Sequence, residues 1–512
     1  MSFDKTGRNR ILSNVAWSWG GYILIFAIGF LMPRLINDFI GQARLGIWDF
    51  AWSVVSYLSL SSFGIGSSVN RYVSKFRASG DFNKLSETVN SVLAIQLLVA
   101  TFIFLGALLF AWYMPIYFSA KLGDALQDAQ IVLVILASAV AIQQLFHVFR
   151  GVITGCHRWD LHNFIEVFLR IISFLGIFFT LFIGYGLPGM ALAYLASVII
   201  VEACRFFIAR RVCPEFHLGF GYVTWRQAKK MILFGWKTVL ATLSPIILMQ
   251  TTSIVVAKIL GPSVLAVLSR ALGLMSRTET FINRYSFITT PVASALQMSE
   301  DRHSLHKFIY ETAAFVAGVV VPIVVIFLLC GGDILKIWMG NEYAKGATMA
   351  ILALGYFFPL TQSPLLRIII GLNMHGRLGI LNILLCLAIF AITFFICQRE
   401  GLTLNKAAIL IALPMAIGNG LLIPLYAKFY LDLPLLDYFR KSLLIPLLAS
   451  VPLSLVTASA RILWPGSSLK ILSIAFLGGV PLVVLCYWLF FWEKEFKKRI
   501  VHKVHRIGSR IF

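Results

Sequence analysis

The chain has 512 residues, 59% of them hydrophobic and only 13% charged, with a formal net charge of +22. A soluble domain carries about 25% charged residues, whereas apolar runs of roughly 18–25 residues, long enough to cross about 30 Å of hydrocarbon, recur throughout this sequence. One soluble core cannot hide so many runs, so the composition excludes a soluble protein and specifies an all-α polytopic membrane protein.

The N-terminal MSFDKTGRNRIL leads into an apolar stretch without a small-residue cleavage site, which predicts a first span that is retained rather than a signal peptide. Fourteen spans are expected: 12–33, 46–69, 89–112, 129–149, 163–183, 188–208, 232–257, 264–297, 309–330, 346–366, 378–397, 407–427, 443–460 and 469–491. With the N-terminus inside, both termini are cytoplasmic. Of the 44 Lys and Arg, about 28 then fall in cytoplasmic segments, about 10 in external ones and about 6 within spans, as the positive-inside rule requires. The basic excess is therefore topological and faces anionic lipid. No base-stacking or groove-reading motif accompanies it, so nucleic acid is not an expected partner.

Charges inside the spans are the informative exceptions, because ionisable groups at membrane depth need a partner or water. Span 1 carries Pro33, Arg34 and Asp38 at its outer end. Span 2 carries Asp49, Ser53, Ser56, Ser67 and Asn70 near one helical face. Span 5 holds Glu166 and Arg170, an i,i+4 pair expected to neutralise itself, and span 6 holds Glu202 and Arg205. Span 7 has Lys237 near its inner end and Pro245, a candidate bend, as is Pro33.

Span 8 is the most unusual. Its stretch LSRALGLMSRTETFINRYSFITT places Arg270, Arg277 and Arg284 seven residues apart, with Glu279 between them. A seven-residue step leaves only about 20° of drift, so the three share one face and descend about 21 Å at about 1.5 Å per residue. A guanidinium in lipid costs from about 2.5 to more than 10 kcal/mol. Either the face lines a wet cavity, or the terminal arginines snorkel and Arg277 alone is internal. A cationic cavity implies an anionic substrate, since guanidinium forks match phosphate oxygens.

The seven cysteines form no C-x-x-C pair and read as small core residues. His303/His306 and His502/His505 lie in basic context without Cys or carboxylate partners, so neither a metal nor a cofactor is expected. The tail EKEFKKRIVHKVHRIGSRIF spaces Phe496, Ile500, Val504, Ile507 and Ile511 by three and four, which predicts an interfacial amphipathic helix on anionic headgroups.

The chain also resembles itself. At an offset of 220, IGQARLGIWDFAWSVVSYL (40–58) falls on LGPSVLAVLSRALGLMSRT (260–278), and SGDFNKL (79–85) on SEDRHSL (299–305). Near 215–217, Arg150 meets Arg367, and GLPGMALA meets GLTLNKAA. Parallel repeats of this kind are a transporter signature, with the substrate at the repeat interface. The expected organisation is a six-helix lobe at 1–210, a second at 211–430, two further helices at 431–491, and the basic tail at 492–512.

NVAWSWGGYILIFAIGFLMPRLI, LGIWDFAWSVVSYLSLSSFGIGSSVNRYVSKF, the S-G-D loop and LKIWMGNEYAKGATMAILALGYFFPLTQSPLLRIIIGLNMHGRLGILN resemble polysaccharide transporters of the multidrug/oligosaccharidyl-lipid/polysaccharide exporter superfamily. The resemblance covers essentially the whole chain. It implies a V-shaped pair of six-helix lobes related by a pseudo-two-fold axis along the membrane normal. It also implies flipping of undecaprenyl-pyrophosphate-linked oligosaccharide across the inner (cytoplasmic) membrane, for O-antigen of lipopolysaccharide, capsule or exopolysaccharide. Polysaccharide polymerase and chain-length machinery are the implied partners. In such proteins a cationic lumen receives the pyrophosphate; Arg270 and Arg277 map onto that role, and Arg34 less directly. The resemblance also implies coupling to an ion gradient, with Asp49 or Glu279 as the carrier. Two other readings remain: an ion-coupled small-molecule antiporter, which wants an acidic cavity, and a sugar polymerase, ligase or acyltransferase, which wants a catalytic loop or embedded His/Asp pair.

Overall fold

The computed structural model describes residues 7–60, 65–240, 243–298 and 302–491, and every regular element among them is helical. The amphipathic tail and His502/His505 lie outside the described residues. Ten segments are long and apolar enough to cross a membrane. Two of these are double. Helix α1 (Gly7–Ser59) breaks at Gly41, where φ is 83°, and α3 (Phe82–Leu122) and α4 (Leu126–Gly155) are joined through Gly123 at φ 50°. With 225–259 as one further pass and 262–298 as another, the helical passes among the described residues number fourteen. Leu98, Trp112 and Leu477 are 72%, 79% and 80% exposed, an apolar surface that is stable only against hydrocarbon. This is an integral membrane protein.

Two boundaries differ from the hydropathy expectation. No loop separates spans 1 and 2, because a single left-handed glycine does the work of one. Span 2 ends as a helix at Ser59, and the basic α2 (Ile65–Ala78) follows. Span 7 is covered by α7 (Trp225–Leu240) and α8 (Leu243–Ile259).

The chain folds as two compact units, Met1–Ser269 and Arg270–Phe512. In the first, α1 packs on α4, on α5 (Trp159–Ile183) and on α8, while α6 (Gly186–Val212) packs on α4 and α5. Small residues set the close approaches, as expected where burial between helices gains nothing over lipid. A Cβ on Gly151 or Gly155 of α4 would stand 2.5 or 2.8 Å from Val69 or Val73 of α2. The tightest case is Gly46 in the second arm of α1, where a Cβ would lie 1.8 Å from the Pro262 carbonyl oxygen. Beside it, Gln42 Nε2 donates to the Ser263 carbonyl at 3.2 Å. Both sides of that contact are backbone, so Gly46→Ala is expected to cost about 1–3 kcal/mol by overpacking. It should lower the thermal midpoint in detergent. Gly273→Ala is the control: nothing lies within 4 Å of its would-be methyl, and a helical Gly→Ala change in open space is neutral to stabilising.

In the second unit, α10 (Arg302–Met339) packs on α11 (Gly346–Thr361), and α11 on α13 (Leu404–Ile417), where a Cβ on Gly355 would stand 2.4 Å from Ala412 Cα. The span expected at 346–366 is broken at Gln362, after which α12 (Ser363–Gly371) begins. The last two passes close on α10 through a core of Ile326, Cys330, Leu453, Ile471, Ala475 and Val483. Wide π-turns at Gly418–Leu422, Arg440–Leu444 and Ala475–Gly479 each precede a proline, at 424, 446 and 481. A proline ring clashes with the carbonyl four residues back and offers no N–H, and local widening of the helix accommodates both.

The backbone carries the internal repeat. Left-handed residues recur as Gly41 and Gly261, Gly123 and Gly340, His157 and Asn373, and Gly184 and Gly401. These pairs are 220, 217, 216 and 217 positions apart, the same offsets at which the sequence aligns with itself. Positive φ at His157 (59°) and Asn373 (57°) is uncommon for non-glycine residues, so its recurrence is stronger than any match of leucines.

Candidate functional site

Helix α9 (Pro262–Met298) is continuous through the arginine stripe. Burial falls along it: Arg270 is 7% exposed, Arg277 half-buried and Arg284 exposed. The helix is held by its neighbours in the second unit at the break between α11 and α12. Ser363 Oγ donates to Asn283 Oδ1 at 2.7 Å, and Asn283 in turn hydrogen-bonds the Glu279 carboxylate, which faces the Arg367 guanidinium. Arg367 also stacks over Phe287 at 5.6 Å, and Tyr438 OH donates to Gln362 Oε1 at 3.0 Å. Glu279 therefore sits in a polar network at an interrupted helix, a setting in which transporters commonly place ligand groups.

The other expected residues are placed as follows. Arg34 is paired with Asp38 of its own helix, Nε to Oδ2 at 2.7 Å. Asp49 is half-buried, and its carbonyl accepts from Ser53 Oγ at 2.9 Å. Pro33 is half-buried inside α1, and Pro245 lies on α8. Lys237 lies on α7, and its side chain is outside the described residues, as is that of Ser67.

A second charged cluster occupies the interior of the first unit. Arg205 of α6, 3% exposed, reaches Glu166 of α5 at 3.2 Å and Glu202 at 2.9 Å. His162 Nδ1 approaches Glu166 at 4.0 Å, and Arg150 of α4 adds positive charge. Glu166 is thus neutralised from another helix. No ion pair joins it to Arg170 among the described residues, because Arg170 turns outward. Nδ1 of His162 and Nη1 of Arg205 have no hydrogen-bond partner. The repeat links the two clusters: Arg150 and Arg367, 217 apart, each face carboxylates inside their own unit. Sequence reasoning noticed that match but not its role. It also missed Asn283 and Ser363, which carry no charge.

At the C-terminal ends of α4 and α6, the thiols of Cys156 and Cys213 meet, and this contact pulls Cys156 down to about 7. All seven cysteines are free.

A sequence model described as polysaccharide biosynthesis protein matches residues 77–348, 272 of the 512. The chain belongs to the polysaccharide biosynthesis protein family. The chain is 20% identical over 412 residues to a Shigella flexneri protein named "Putative O-antigen transporter", covering 77% of the chain and 92% of the relative. Its fold is similar to that of a solved structure of the lipid II flippase MurJ, with TM-score 0.73 and 14% identity over 93% of the chain and 99% of MurJ. It is also similar to that of an inward-facing multidrug resistance MATE family transporter of the MOP superfamily, with TM-score 0.66 and 14% identity over 80% of the chain and 94% of that transporter.

Proposed function

We propose that this protein is a non-catalytic flippase that moves undecaprenyl-pyrophosphate-linked oligosaccharide units across the cytoplasmic membrane by alternating access, for surface polysaccharide assembly. The observation that carries the reading is the single-faced row of Arg270, Arg277 and Arg284 on α9, with burial decreasing along it. A pyrophosphate offers several anionic oxygens, and planar guanidinium forks bind these bidentately. The Shigella relative's name and the MurJ-like fold support the same substrate class. An antiporter of small cations fits a cationic row poorly.

On this reading the lobes are residues 1–210 and 211–430, with the pair 431–491 and the basic tail appended and both termini cytoplasmic. Arg270, Arg277 and Arg284 bind substrate, with Arg34 and Lys237 at the margins. Asp49 or Glu279 carries the coupling ion, and Pro33 and Pro245 are the bends. The partners are the lipid-linked oligosaccharide, anionic lipids, and the polymerase and chain-length machinery.

The test is reconstitution into sealed vesicles with lipid-linked oligosaccharide. Sugar accessible to an external lectin should appear on the second leaflet far faster than in protein-free vesicles. A cell lacking the gene should lose surface glycan and regain it on complementation. Vesicle rates equal to the protein-free background, with complementation failing, would overturn the proposal.

A further inference from the structure

The first unit carries an apolar groove of about 740 Å³ on its outer side, between α3, α4, α6 and the loop that follows α6. Its walls include Leu93 and Leu97 of α3, Phe146 and Phe149 of α4, Phe206 of α6 and Phe220 of the loop. The aromatic floor is rigid: Phe149 packs edge-on against Phe206 at 5.0 Å and tilted against Phe146 at 5.8 Å.

The loop wall is built rather than accidental. Three buried polar residues of α3 hold residues 217–224 in place. Asn90 Nδ2 donates to the His217 carbonyl at 2.7 Å, and its Oδ1 accepts from Gly219 N at 3.0 Å. Ser86 Oγ accepts from His217 N at 3.0 Å, and Ser91 Oγ accepts from Thr224 N at 2.9 Å. Irregular backbone beside hydrocarbon is tolerated only when its polar groups are satisfied in this way. The loop thereby presents Phe220, 95% exposed, at the rim of the groove.

Charge gathers at one end. One residue after the pinned Thr224, α7 opens with exposed Trp225, Arg226, Lys229 and Lys230. Of the acids at this end, Asp81 pairs with Lys84 and Glu215 with Arg77, while Glu87 of α3 stands within electrostatic reach of Lys84, so cations remain in excess. From Ser91, level with this basic end, α3 runs seven residues to Leu98 at the apolar end, about 10 Å. The groove thus has the polarity of one lipid: cations at the membrane surface, then aromatic and aliphatic walls. A peptide is a poor occupant, because its backbone would sit unsatisfied at this depth.

We propose that this groove is a binding site for an anionic phospholipid of the cytoplasmic leaflet, one acyl chain lying between α3 and the 217–224 loop and the phosphate drawn to Arg226, Lys229 and Lys230. The test is native mass spectrometry of the full chain released from nanodiscs containing phosphatidylglycerol, phosphatidylcholine or both, a readout independent of transport. One phosphatidylglycerol per protein should be retained, preferred over phosphatidylcholine by about tenfold or more. Ala94→Trp, which fills the groove, should remove the retained lipid while the thermal midpoint holds. The surface variant Arg226→Gln/Lys229→Gln/Lys230→Gln should keep a lipid but lose the preference. Retention unaffected by Ala94→Trp, or a phosphatidylglycerol preference in the triple variant as strong as the parent's, would overturn the proposal. So would recovery of a polyprenyl lipid rather than a phospholipid as the retained species.

Discussion

Arg205→Ala should be the most damaging single substitution to stability, costing about 3–5 kcal/mol because it strands buried charge. Glu202 and Arg205 are 4% and 3% exposed, and Glu166 reaches inward from α5 to the same guanidinium. Without Arg205 two carboxylates remain in an apolar interior, and Arg150 is left to balance them from α4. The measurement is thermal unfolding in detergent together with the yield of monodisperse protein. A large drop in both is expected, and Arg205→Lys should be intermediate because an ammonium cannot address two carboxylates through one planar fork. A second variant separates loss of charge balance from loss of packing. Glu166→Gln/Glu202→Gln/Arg205→Met removes every charge of the triad, and buried ion clusters replaced in this way commonly recover stability. If Arg205→Ala melts like the parent, the cluster is not a structural keystone.

That cluster also shows where sequence reading succeeds and where it stops. Hydropathy located the passes because crossing hydrocarbon demands length and composition that no other role requires. The repeat was legible because the positions that align, such as Gly41 with Gly261, are backbone-determined, and only a few residue types tolerate a left-handed conformation. Pairings were less legible. Glu166 and Arg170 are four apart, which suggests a local pair, yet the partner is 39 residues away in the sequence on α6. Which of two arginines a carboxylate meets depends on helix rotation and depth, which tertiary packing sets. The break at Gln362 was hidden for a similar reason: Pro359 and Pro364 announce a disturbance, but the polar contacts of Ser363 and Gln362 locate it. Sequence named Glu279 and the arginine row. The uncharged Asn283 and Ser363 that hold them lacked any signal separable from ordinary helix polarity.

Arg277 is the residue on which the proposed function turns. Arg270 is buried at one end of the row and Arg284 exposed at the other, so Arg270 has a packing role to lose and Arg284 can reach water by snorkelling. Arg277 is half-buried between them, two residues from Glu279, whose own partners are Asn283 and Arg367. Arg277→Ala is therefore expected to insert and melt nearly as the parent does, yet to lose export of surface glycan. Hydrogen bonds to charged groups contribute about 1.5–3 kcal/mol each, so removing a bidentate contact should weaken substrate binding by about a hundred- to ten-thousand-fold. Arg277→Lys should restore only part, since it keeps the charge and loses the fork. Complementation of a deletion strain, with surface glycan quantified at matched protein levels, separates these outcomes. Full export by both variants would show that Arg277 does not touch the pyrophosphate. Loss in both, with intact folding and no vesicle translocation, would place the anion on α9 at the middle of its arginine row.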